Sequence, residues 1–64
     1  MSNEADKIFR TAKAMWGIGD TIDRLRGLAR EVDPSADPLI SPRDAAALLV
    51  DQGWSERDFV RRFS

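Results

Sequence analysis

Asp33-Pro34-Ser35-Ala36-Asp37-Pro38-Leu39-Ile40-Ser41-Pro42-Arg43-Asp44 is the stretch on which the fold turns. Apolar residues of helical period lie on both sides of it: Leu25, Leu28, Ala29 and Val32 before, Ala45 to Val50 after. Pro34 stops the incoming helix, because the residue before a proline is pushed out of the helical region. Ser41 is placed to cap the outgoing helix, with Pro42 as its first residue and Asp44 as its third. The segment therefore reads as two helices joined by a proline-stiffened connector, with Ile40 as a core residue that sets the angle at which the chain joins the second helix.

Working outward, the spacing predicts an all-α domain of four helices, at about residues 3–16, 20–33, 42–52 and 55–63. Ile8, Phe9, Ala12, Met15 and Trp16 form the stripe of the first. Gly17-Ile18-Gly19 interrupts it, and Asp20 or Thr21 is the expected cap of the second. Asp6 with Arg10, and Asp20 with Arg24, are spaced to pair within their helices. Gly53 is a natural left-handed stop for the third helix. Ser55 caps the fourth, Asp58 sits three residues on, and Trp54 is placed to staple against Phe59. The expected core is Leu25, Leu28, Val32, Ile40, Leu48, Leu49, Trp54, Phe59 and Phe63.

Side-chain oxygens recur along the central stretch at its first, third, fifth, ninth and twelfth places: Asp33, Ser35, Asp37, Ser41 and Asp44. With apolar Leu25, Leu28, Ala29 and Val32 leading in, and Ile40 at the eighth place, residues 25–49 resemble an EF-hand, the helix–loop–helix calcium unit. The resemblance implies an EF-hand-like arrangement of helices and calcium held by those five residues. Two places depart from the pattern. Pro38 stands where glycine supplies a positive φ, and its ring holds φ near about −65°. Asp44 replaces the usual glutamate, as in dockerin domains, and is one methylene shorter. Each oxygen also has an ordinary role, in ending a helix, capping the next or making a turn.

Composition removes whole classes of chemistry. The chain has 64 residues and no histidine, cysteine or tyrosine. The most usual general base, the thiol nucleophile and the phenolic acid are thus missing, and the reading is of a protein that is not an enzyme. Zinc loses its usual ligands for the same reason, and no cofactor is expected beyond the calcium alternative. The net charge of −1, with acids and bases interspersed, lacks the basic footprint of a nucleic-acid binder. A polar, acidic N-terminus and short apolar runs lead to the expectation of a cytoplasmic protein without a membrane segment.

What remains is surface. Trp16 and Trp54 sit at helix junctions, while Arg57, Arg61, Arg62 and Phe63 dress the last helix. Half-covered tryptophan beside arginine is the composition of protein-binding hot spots. These six residues are the candidate partner-binding set of a small adaptor, regulator or inhibitor, or of a homodimer. Their ordinary roles are core, staple and solvated basic face. A helix-turn-helix reading of residues 45–63, with the three arginines on phosphates, is the nucleic-acid alternative; Asp51, Glu56 and Asp58 oppose it.

Overall fold

A single glycine bends the first long helix. In the computed structural model, which describes residues 4–63, α1 spans Glu4–Val32, α2 Pro42–Asp51 and α3 Glu56–Phe63. A straight helix the length of α1 would run about 43 Å, yet the longest dimension of the molecule is 25 Å. The break lies at Gly17, whose φ of 81° and ψ of 165° are non-helical. That conformation is essentially closed to residues with a Cβ. Space is not the reason for glycine: a Cβ there would meet nothing within 4 Å.

Three helices therefore stand where four were expected, the first two being halves of one element bent at Gly17. This architecture does not support an EF-hand-like arrangement. The expected start at Asn3 lies outside the described residues. The cap also moves: Gly17, not Asp20 or Thr21, precedes the second half of α1. Thr21 is instead fully buried, and its Oγ1 donates to the Gly17 carbonyl at 2.6 Å. A threonine hydroxyl bonded one turn back in this way satisfies itself without leaving the helix.

The other ends form as their sequences dictate. The Ser41 hydroxyl accepts from the Asp44 N–H at 3.1 Å, which caps α2. At the far end Trp54 N–H donates to the Leu49 carbonyl at 2.9 Å and Gly53 N–H to the Val50 carbonyl at 2.9 Å. With Gly53 at φ 94°, this is a Schellman stop. Ser55 and Asp58 then form a reciprocal box: Asp58 N–H donates to Ser55 Oγ at 3.2 Å and Ser55 N–H to Asp58 Oδ2 at 3.0 Å.

Both halves of α1 face the core. Ile8, Phe9 and Ala12 come from the first half, and Leu25, Leu28 and Ala29 from the second. Ala45, Ala46 and Leu49 of α2 and Phe59 of α3 complete it. The alanines admit close helix approach, a role the expected core did not assign them. Val32, Ile40, Leu48, Trp54 and Phe63, expected inside, are half-buried against this cluster. Met15, expected on the buried stripe, is 41% exposed. It lies beside the bend, where α1 turns away and leaves that side chain partly uncovered.

Candidate interaction surface

α3 lies against α1 along a seam whose two ends differ in chemistry. At its start, Glu56 N–H donates to Glu4 Oε2 at 3.0 Å, and Thr11 Oγ1 donates to Glu56 Oε2 at 2.6 Å. The first N–H of a helix has no intrahelical acceptor, so Glu4 supplies one and adds negative charge at the positive end of α3. The bond holds the Glu4 carboxyl below its usual value. Asp58 is held low as well, chiefly by accepting from the Ser55 N–H.

One turn further along, the seam becomes apolar. Met15 follows Thr11 by a turn on α1, and Val60 follows Glu56 by a turn on α3. Met15 is 41% exposed, Val60 36%, and Ile18 just past the bend 54%. Their sequence neighbours Trp16 and Phe59 belong, with Phe63, to an aromatic cluster. The Trp16 ring meets Phe59 at 5.6 Å and Phe63 at 5.0 Å between centroids, both edge to face. This geometry sets the positive edge of one ring against the negative face of another.

Of the six candidate residues, the structure unites Trp16, Phe63 and Arg62. The Arg62 guanidinium lies 5.5 Å from the Phe63 ring centroid, and its Nη2 is 3.4 Å from Glu31 Oε1. Arg57 and Arg61 are exposed on α3 and, among the described residues, make no ion pair within 4.0 Å. Trp54 is separate. It closes the α2 stop and packs half-buried on the core before the start of α3, whereas Phe63 ends that helix. Arg24 was assigned to Asp20 by spacing but instead stacks on Trp16 at 5.0 Å, becoming part of the surface. Asp6, assigned to Arg10, pairs with Arg43 at 3.0 Å. No local signal marks either change, because both depend on which helices Gly17 brings together.

Of the five candidate calcium ligands, Asp33, Ser35, Asp37 and Ser41 have side-chain hydrogen-bond partners of their own. Asp33 Oδ1 accepts from the Ser35 N–H at 3.1 Å and the Ser35 hydroxyl at 2.6 Å. Asp37 Oδ1 accepts from the Leu39 N–H at 2.9 Å, and Ser41 caps α2. Arg26 Nε, reaching from α1, donates to the Ile40 carbonyl at 2.8 Å. Among the described residues there is no group of three or more acidic, histidine or cysteine side chains placed to hold a metal ion, and no cavity opens between the helices. No helix among them is long and apolar enough to cross a membrane. Comparison of the chain with protein families, with curated proteins and with solved structures finds no match.

Proposed function

We propose that this chain is a small non-enzymatic protein-binding module that acts as an adaptor, regulator or inhibitor through the helical surface at the α1 bend and α3. The observation that carries this reading is the half-exposed Trp16–Phe63 pair, with Arg24 and Arg62 stacked on its rings and Met15, Ile18 and Val60 partly open beside it. Aromatic and arginine side chains held rigid in this way supply contact area at low entropic cost. The cysteine-free composition fits a reducing compartment, and we place the protein in the cytoplasm.

The test is photo-crosslinking from position 57 or 61 in the native cell, with the captured protein then measured in solution. R57A/R61A is expected to weaken its binding at least tenfold while leaving the helical circular-dichroism signal intact. A partner whose affinity is indifferent to this double substitution and to Phe63→Ala would remove the surface from consideration.

A further inference from the structure

The large apolar side chains most open to solvent fall in two places. Met15 and Ile18 flank the bend of α1 at Gly17 and Val60 lies on α3, the helix packed against α1, whereas Leu39, 76% exposed, stands alone on the connector. Their electrostatic settings are opposite. Val60 is flanked on α3 by Arg57 and Arg61, exposed arginines that among the described residues have no ion-pair partner within 4.0 Å, although both act on Asp58 of the same helix. Leu39 is flanked in sequence by Asp33, Asp37 and Asp44, whose oxygens have no cationic partner within that distance among the described residues; the nearby Arg43 is taken by Asp6. Residues 33–51 carry four acids and one base, whereas α3 carries two acids and three bases.

Leu39 is also held ready. Its own N–H is tied to Asp37 Oδ1, the Ile40 N–H donates to the Asp37 carbonyl at 3.0 Å, and Pro34 and Pro38 stiffen the approach. A presented side chain of this kind loses little freedom on docking. It does not occupy the seam of its own molecule: it is 76% exposed, and the carbonyl of its neighbour Ile40 is tied to Arg26 of α1.

We infer that the seam receives the 33–41 loop of a second copy of this chain, with Leu39 set among Met15, Ile18 and Val60 and the loop carboxylates facing Arg57 and Arg61. The inference rests on reading the seam as a contact surface and names its occupant. Two seams do not suit one another, because a symmetric pairing would set arginines against arginines. The contact is therefore head to tail, each copy offering a loop at one end and a seam at the other, and it propagates or closes into a ring. Part of its strength is electrostatic and is screened by salt.

Sedimentation equilibrium of the full chain, from micromolar to millimolar concentration, tests this. At low salt the mean mass is expected to rise past that of a dimer, and in 0.5 M salt the association constant is expected to fall at least tenfold. L39D, which spoils the loop, and R57E/R61E, which spoils the seam, are each expected to sediment as monomers with an unchanged circular-dichroism spectrum. Mixed together, they retain one intact loop and one intact seam, and are expected to form a complex that stops at one of each. A wild-type chain that stays monomeric at low salt overturns the inference, as does a mixture that fails to associate. Association that stops at two wild-type copies and survives L39D overturns it as well. In all three cases a different protein crosslinked to positions 57 or 61 would leave the proposed function standing.

Discussion

The chain changes direction at two places by opposite means. At Gly17 one backbone conformation does it, with φ at 81° and the Thr21 hydroxyl on the glycine carbonyl. Between Val32 and Pro42 nine residues do it, and the turn is distributed over Asp33, Asp37, Ser41 and Arg26, each holding a different backbone or side-chain group. The first device fails all at once and the second fails piecemeal. A side chain added at the glycine disturbs no neighbour but strains the backbone; a side chain lost from the connector leaves its other bonds in place.

The sharpest way to break this contrast is Gly17→Ala. It is expected to lower stability in urea by about 1–3 kcal/mol, the strain of holding a Cβ-bearing residue in this conformation. D-alanine at the same position should restore it, since its mirror-image preference admits positive φ. An L-alanine variant as stable as the parent would mean that the bend is not set by this φ. Ser41→Ala comes next, with an expected loss of about 1 kcal/mol for a helix cap, read from the same unfolding curves. Loss of cooperative unfolding in that variant would show the connector to be no more robust than the glycine. Gly27→Ala serves as the control. It lies exposed within the second half of α1 with nothing within 4 Å of a new Cβ, so a gain of about 0.5–1 kcal/mol is expected.

Acid produces the smallest effect and separates the two devices by chemistry. The Glu4 and Asp58 carboxyls titrate lower in the folded chain than their usual values, through the N–H groups of Glu56 and Ser55 respectively. Groups depressed on folding contribute stability that is present above their unfolded pKa and lost as pH falls through the folded one, here below about pH 4. A pH titration of the melting temperature should therefore decline in that window, and E4Q should flatten part of the decline. Both groups are solvent-exposed, so the change is modest. A decline unaltered by E4Q would detach Glu4 from the start of α3.

The contrast also explains what could be read in advance. Signals contained within a few residues were legible: Ser41-Pro42 opening α2, Gly53 ending it, and Ser55 with Asp58 opening α3. The glycine pair at residues 17 and 19 marked an interruption, but spacing alone does not say which glycine takes the positive φ or how far the chain turns. Everything downstream of that angle was hidden with it. Arg24 finds Trp16, Asp6 finds Arg43, and Met15 is left partly open. Ala45 and Ala46 were passed over as core because they are small, and they are buried because small residues let α2 approach α1 closely. Of the candidate surface, Trp16, Arg62 and Phe63 were found from composition and converge in space, whereas the seam itself exists only in the fold.

The hydrogen bond between Glu4 and Glu56 joins residues 52 positions apart. Closing so long a loop carries an entropy that local contacts do not share. The helix it secures has eight residues, too few to persist in water without packing, and Phe59 is its one fully buried anchor. α3 is thus expected to exchange its amide hydrogens faster than α1 and α2, which hydrogen-exchange measurements would show. The proposed contact surface is built in part on this short helix, so a partner that grips α3 would also slow that exchange.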